Sequence, residues 1–330
     1  DSLIVDLPVK SRIMTPVSIA TVNSLFRIAT TLVLLPFIGV LEQIVTGFIK
    51  ESEAERNVNA EFDRLDERFL EHPALAIEQC RLTINSMART SRDNICSAMT
   101  LLFSYDEEQA KEIERTEDLV DRYEDKLGTY LMKLTRAELS RGDSESAAKY
   151  LHTLSDFERI SDHSVNLLES AQEMHTKEIN FSTDAREELQ VLEDAVQDVL
   201  NRTTDAFRKD DLHLASKIEP LETVVDELVR AIKARHVARL QAGSCSIEYG
   251  FVLEDLLTNY ERVCDHCSNV AVAQIEVAQD SFDTHAYLND LRSGHASTKE
   301  SEQFQRRLNR YRERYLFPDE NVTETEDKQA

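Results

Sequence analysis

Tryptophan is absent from this 330-residue chain, and seven glycines and six prolines leave little that would break helices or shape tight hairpins. No useful stretch alternates apolar and polar residues at the period of two that a half-buried strand needs, so an all-α fold is expected. The glycine motifs that cradle phosphates or carry a nucleophile are missing: there is no G-x-x-x-x-G-K-[ST], no G-x-G-x-x-G and no G-x-S-x-G. None of the nine histidines has a glutamate three residues before it, which removes the Glu-x-x-His element of ferritin-like di-iron sites. With no visible nucleophile or base, no catalytic residue is assigned and the chain is read as a non-enzyme.

Positive charge is also scarce. Acidic side chains outnumber basic ones 62 to 38, and a formal charge of −24 argues against nucleic acid as a partner, because phosphate backbones need a basic footprint. Cations are the more natural ligands. Five cysteines are an odd number at low density, which fits a reducing compartment. Cys264 and Cys267 spell C-x-x-C, but a related segment holds Ser161 and Ser164 in the same places, so these are read as small buried residues.

What the chain does have is a duplicated helical signature. Glu158-Arg159-Ile160-Ser161-Asp162-His163-Ser164-Val165-Asn166 returns 103 residues later as Glu261-Arg262-Val263-Cys264-Asp265-His266-Cys267-Ser268-Asn269, both reading ER-x-x-DH-x-x-N. That spacing is too long for a short solenoid repeat and suits a duplicated small helical domain. Helical patterns at 74–103, 107–141 and 144–176 are followed by others at 184–208, 211–241 and 246–281, which makes two consecutive three-helix units. The second helix is expected to stop at Gly142-Asp143.

Each repeat holds two acidic pairs at i, i+4, so each pair shares a helix face. They are Glu117 with Asp121 and Glu158 with Asp162, then Glu222 with Asp226 and Glu261 with Asp265. In the first signature Phe157, Ile160, Leu167 and Leu168 form the apolar stripe, which leaves the acids outside the core. Like charges at this spacing cost a few tenths of a kcal/mol, and their recurrence favours a neutralising metal ion over mere solvation. Oxygen donors fit iron, magnesium, manganese or calcium better than zinc. His163 and His266 can be read as neighbours of such a site or as surface hydrogen-bonding groups.

The two ends differ from the middle. Residues 17 to 41 form a 25-residue apolar run in which Arg27 is the only formal charge, long enough to span a bilayer. Arg27 there would cost about 3 kcal/mol against lipid, so it is expected to face protein or water. The chain also starts at Asp1, and a truncated membrane protein is expected. Near the other end, Arg306, Arg307, Arg310, Arg312 and Arg314 make a basic helical stripe before an acidic tail. It can dock on the acidic bundles or on membrane headgroups.

The run from Phe157 to Asn166 resembles the signature of the PhoU family of phosphate-uptake regulators, and the second copy stands where that family has it. The resemblance implies two similar three-helix bundles whose E/D-x-x-x-D motifs bind multinuclear metal clusters. Position by position those acids are Glu117, Asp121, Glu158, Asp162, Glu222, Asp226, Glu261 and Asp265. The apolar segment around Asn23-Ser24-Leu25-Phe26, and residues 283–288 and 311–315, are similar to bacterial sodium/phosphate cotransporter family proteins that carry a cytoplasmic PhoU-like domain.

On that resemblance the chain divides into the end of a membrane transporter domain (1–50), a linker (51–73), two PhoU-like bundles (74–176 and 182–281) and a C-terminal extension (282–330). It implies sodium:phosphate symport, with sodium as the coupling ion and inorganic phosphate as the cargo. The protein would sit in the plasma (inner) membrane with the PhoU-like domain cytoplasmic. Its partners would be its own upstream transmembrane domain, phosphate-signalling proteins and a second copy in a homo-oligomer; residues that bind substrate would lie upstream. The alternative is a PhoU-type regulator of phosphate uptake acting on a separate transporter, and a third reading is a di-iron metalloenzyme.

Overall fold

The computed structural model describes residues 16–34, 59–278 and 298–318, and among these the chain is helical, with no strand. Helix α1 (Pro16–Leu34) forms one compact unit, and a second unit begins at Glu61. The second unit holds α2 (Pro73–Leu101), α3 (Glu107–Leu134), α4 (Arg141–Thr176), α5 (Thr183–Lys209), the single turn α6 (Leu212–Ala215), α7 (Ile218–Gln241), α8 (Ile247–Ala278) and α9 (Thr298–Arg314).

Local chemistry sets the boundaries. Asp106 begins α3 by accepting from the Gln109 N–H at 2.8 Å, and Ser182 begins α5 by accepting from Ala185. Contrary to the stop expected at Gly142-Asp143, both residues lie in the first turn of α4. The α3 helix already stops at Leu134, and Ser140 opens α4 by accepting from the Asp143 N–H while its hydroxyl donates to the Asp143 carboxylate at 2.7 Å. That reciprocal cap outweighs the preference of Gly142 for a terminus.

Helices α2, α3 and α4 pack as one bundle and α5, α7 and α8 as another. The apolar stripes meet inside: Phe157, Ile160, Leu167 and Leu168 of α4 are buried, as are Val120, Tyr123, Leu127 and Leu134 of α3. Each such side chain contributes about 1.5–3 kcal/mol by leaving water. The buried Asn94 of α2 donates to Ser164 Oγ at 2.6 Å, to Ser161 Oγ and to the Ile113 carbonyl, tying three helices. This explains the hydroxyls of the first repeat. In the second, Cys264 and Cys267 are buried free thiols, and burial pushes the Cys267 pKa up to about 12, too high for a nucleophile.

Of the residues assigned to a linker, Phe62 and Asp66 are packed on the first bundle, and residues 51–58 lie outside the described ones. Phe62 sits edge-on to Tyr123 at 4.9 Å, and the Tyr130 hydroxyl donates to the Asp66 carbonyl at 3.0 Å. The two bundles belong to one compact unit, joined mainly along α4 and α8, with α2 touching α5. At the far end α9 lies on α7. The basic stripe therefore docks on protein: Arg312 clasps Glu227 through two bonds of 2.8 and 2.5 Å, and Tyr311, Tyr315 and Phe317 are buried beneath it.

The described residues do not support the expected transmembrane helix. Among the described residues no helix is long and apolar enough to cross a membrane. Helix α1 accounts for 19 residues in which Asn23, Ser24, Arg27 and several threonines dilute the apolar run, and residues 35–41 of the expected span lie outside the described ones. Also outside them are residues 279–281 of the second expected bundle, residues 283–288 and the acidic tail from 319 onward.

In the second bundle the Tyr260 hydroxyl donates to Glu193 at 2.7 Å, and both side chains are buried. Burial pushes the Glu193 carboxyl up to about 7, against the lowering effect of that bond. The folded state thus holds a proton that the unfolded chain, with a carboxyl pKa of about 4.3, releases earlier. This group's stabilisation is full below that value and is lost as pH rises towards 7. Urea unfolding at pH 5 and pH 8 should show wild-type stability falling by up to about 3 kcal/mol from this group, and Glu193→Gln should flatten that part of the profile.

Candidate functional site: paired carboxylate faces flanking a two-copy seam

The seam between the bundles is built by the signature helices themselves. His163 of α4 lies 2.8 Å from Asn259 Oδ1 of α8, and His266 of α8 lies 2.9 Å from Asp156 Oδ1 of α4. Asn269 also donates to Asp156, at 3.3 Å. Asp156 and Asn259 stand at the same place in the two repeats, so each signature histidine reaches the residue two before the other copy's Glu-Arg. The imidazole rings lie 5.8 Å apart across the pseudo-twofold.

The Asn259 amide nitrogen is committed to the Asp255 carbonyl at 2.8 Å, so its oxygen faces His163, which must donate from Nδ1. The Asn166 amide nitrogen, 3.4 Å from that same atom, is a second donor and serves as a neighbour. Burial and the facing His266 lower the His163 pKa, which keeps the ring neutral. Of the two earlier readings of these histidines, the structure favours hydrogen bonding over ligation. Asp156 and Asn259 were not singled out in the sequence, because their partners lie on the opposite repeat.

The carboxylates lie outside this seam. In the first bundle Glu117 and Asp121 of α3 are brought beside Glu158 and Asp162 of α4. Burial, then Asp121, Asp118 and Asp162, raise the Glu117 pKa; burial, then Asp118, Asp162 and Asp125, raise that of Asp121. Glu158 is pushed up to about 7 by burial first and then by Glu124, Asp121 and Asp162, with Arg159 opposing. Glu124 is a participant that pair-by-pair reading missed, although 117, 121 and 124 trace one helix face at i, i+4, i+7.

In the second bundle Glu222, Asp226 and Asp265 gather near the buried Cys264 thiol. Its pKa is raised by burial, then by Cys267, then by those three acids. Glu261 precedes Asp265 by one turn of α8, and Glu222 is only 4% exposed. An additional acid, the buried Glu219, accepts from the Ser268 hydroxyl at 2.5 Å; its counterpart in the first repeat, Glu114, is exposed. The two faces are therefore related but unequal, and the second is the more enclosed.

These donors fit a hard cation by chemistry, since they are hard oxygens whose mutual repulsion a positive ion would relieve. They are not gathered into a closed cage: among the described residues no three His, Cys, Asp or Glu side chains stand together in a metal-holding group. The acids form adjacent rows on neighbouring helices.

Comparison with known proteins agrees with this duplicated architecture. The family model described as PhoU domain matches twice, over residues 84–171 and 189–273. The chain is 30% identical over 144 residues to the phosphate-specific transport system accessory protein PhoU homolog 1 of Thermotoga maritima, an alignment that covers 42% of this chain and 59% of that relative. It is similar in fold to the crystal structure of PhoU from Pseudomonas aeruginosa, with a TM-score of 0.58 and 20% identity over 62% of this chain and 97% of that one. The phosphate transport system regulatory protein PhoU from Streptococcus pneumoniae gives a TM-score of 0.57 and 15% identity over 64% and 98%.

The seam carries its own internal control. Asp156→Ala removes the acceptor of both His266 and Asn269 inside the interface and should destabilise by about 1–3 kcal/mol. Asp156→Asn reproduces the residue of the other copy and should cost much less. Guanidinium unfolding of the two variants beside wild type makes the comparison; equal losses would mean that the hydrogen bond contributes nothing specific.

Proposed function

The chain belongs to the PhoU domain family, and from that premise we propose that it is a non-enzymatic regulatory module of phosphate transport whose paired carboxylate faces take hard cations. The observation that carries this reading is the double facing of acidic pairs, on α3 and α4 and again on α7 and α8, with Glu158 pushed up to about 7 among its neighbours. Glu117, Asp121, Glu158 and Asp162 would hold ions at the first face; Glu222, Asp226, Glu261 and Asp265 would do so at the second. Iron, magnesium or manganese suit these oxygens better than zinc. A bound cation supplies charge neutralisation, drawing together helices whose acids otherwise repel. A cation-loaded face then differs from an empty one in charge and stiffness, and a phosphate transporter or signalling partner that prefers one state would respond to occupancy.

A second reading keeps the module within a sodium:phosphate symporter of the inner membrane, with the bundles cytoplasmic. Helix α1 favours it: Val22, Leu25, Phe26, Ile28, Leu32 and Val33 are 50–69% exposed, on one broad face of the helix. The Thr30 and Thr31 hydroxyls donate back to the carbonyls of Phe26 and Arg27 at 2.8 and 2.9 Å, which suits apolar surroundings. In this reading an upstream transmembrane domain covers α1, and that domain would bind sodium and inorganic phosphate. Fractionation of the protein in its native host separates the readings: release by salt fits a regulator of a separate transporter, whereas release by detergent alone fits the symporter.

For the cation sites, elemental analysis and thermal unfolding with manganese, magnesium or ferrous iron are the direct checks. A cation present at about a hundredfold excess over Kd should stabilise the wild type by about 2.7 kcal/mol per site. Glu158→Gln with Asp162→Asn should stabilise the metal-free protein, by removing repulsion, while losing the first site's response. An unchanged response in a variant neutralised at all eight acids would refute the assignment.

A further inference from the structure

Against a chain of net charge −24, one cavity has the opposite character. It measures about 500 Å³ and lies where α9 meets α5, α6 and the start of α7. Five arginines, a lysine, a histidine, a glutamine and a tyrosine line it, and no aspartate or glutamate does. The α9 helix itself carries six basic and three acidic side chains. It lies beyond both segments matched to the family, so this basin is an addition to the duplicated bundles.

Docking of α9 accounts for only some of these cations. The helix is held by Arg312 on Glu227, by Arg307 donating to the carbonyl and hydroxyl of Ser216 at 2.6 and 2.9 Å, and by the buried Leu308, Tyr311, Tyr315 and Phe317. Of the cations facing the cavity, Arg202 and Arg314 share Asp198, and Arg306 meets the exposed Glu302. Arg310 and Lys217 have no ion-pair partner among the described residues. Arg306, Arg310 and Arg314 also follow one another at i, i+4, i+8, a spacing at which like charges repel. Positive charge is thus held on one face in excess of what anchors the helix.

We propose that this basin binds a soluble oligophosphate, an anion with two or more phosphoryl groups in line. Three arginines four residues apart span about 12 Å along the helix at 1.5 Å per residue, more than a single phosphate can touch. Arginine forks match phosphoryl oxygens in pairs, and Lys217 adds a point charge from across the cavity, at the N-terminal end of α7. The volume falls within the range of small-molecule sites. A nucleoside is not required: Tyr311 is buried and the Arg202 guanidinium covers its ring at 5.5 Å, so it leaves no open face for a base. The inference does not rest on the regulatory reading or on the cation sites.

Calorimetric titration of the full chain with sodium tripolyphosphate, in EDTA so that no cation bridges the anion to the acidic faces, provides the test. Saturable one-to-one binding is expected, at least tenfold tighter than for orthophosphate or sulfate and weakening steeply with salt. Lys217→Ala with Arg310→Ala should weaken it at least tenfold, while the charge-matched control Arg141→Ala with Lys177→Ala leaves it within about twofold. Circular dichroism checks the fold, and Arg310→Gln, at an exposed side chain, replaces the double variant if that one unfolds. Absence of saturable binding by wild type, or an equal loss in the control, overturns the proposal. So does flotation with phosphatidylglycerol vesicles without tripolyphosphate binding, since the basin would then serve a lipid surface.

Discussion

The rest of the structure depends on the seam where α4 meets α8. Each of these helices is the third of its bundle and has to satisfy three environments at once. One side faces its own core, one faces the other copy, and one carries acids to solvent. The reciprocal contacts of His163 with Asn259 and of His266 with Asp156 fix the rotation of both helices about their axes. Because successive helical residues are about 100° apart, fixing the histidine also fixes the aspartate before it. Asp162 and Asp265 are thereby held outward while their neighbours are held in the seam.

The duplication and its all-helical character were legible in the sequence because they rest on period and spacing, which survive without tertiary information. The apolar stripe of α4 could be read from Phe157, Ile160, Leu167 and Leu168 for the same reason. The role of the histidines was not legible. Their partners, Asp156 and Asn259, differ in type between the copies and are separated from them by 110 and 96 residues, so no local pattern joins them. Glu124 was hidden differently: it needed the helix face to be followed one turn further. The start of α4 turned on a cap, where Ser140 and Asp143 open the helix ahead of a glycine that reads as a stop. The expected membrane span finds no support among the described residues, where α1 holds polar side chains that a count of formal charges does not register.

Electrostatics divides the surface by purpose. Acids on α3 and α4 face one another, and the burial that raises the Glu158 and Glu117 pKa values makes each added negative charge harder to hold. Ordinary surface ion pairs cannot account for this arrangement, since such pairs contribute about 0–1 kcal/mol each and most acids here have like-charged neighbours. The basin on α9 is the mirror case. Both are places where folding has concentrated one sign of charge that apolar packing elsewhere must offset.

Helix α7 links the two. Glu222 and Asp226 lie on the side shared with α8, while Glu227, the next residue, receives Arg312 of α9, and Lys217 at the start of the helix faces the basin. Contiguity alone is not coupling; coupling requires that the shared element have two arrangements of similar energy that each ligand biases differently. Pro220, in the first turn of α7, leaves that end without one backbone donor, and the helix begins without a side-chain cap at Lys217. Ile218, Glu219, Pro220 and Leu221 are buried, so packing and not a cap holds this turn. The start of α7 therefore serves the basin through Lys217 and the second acidic face through Glu222, yet its buried first turn has a single packed arrangement, which makes it a shared support and not a switch.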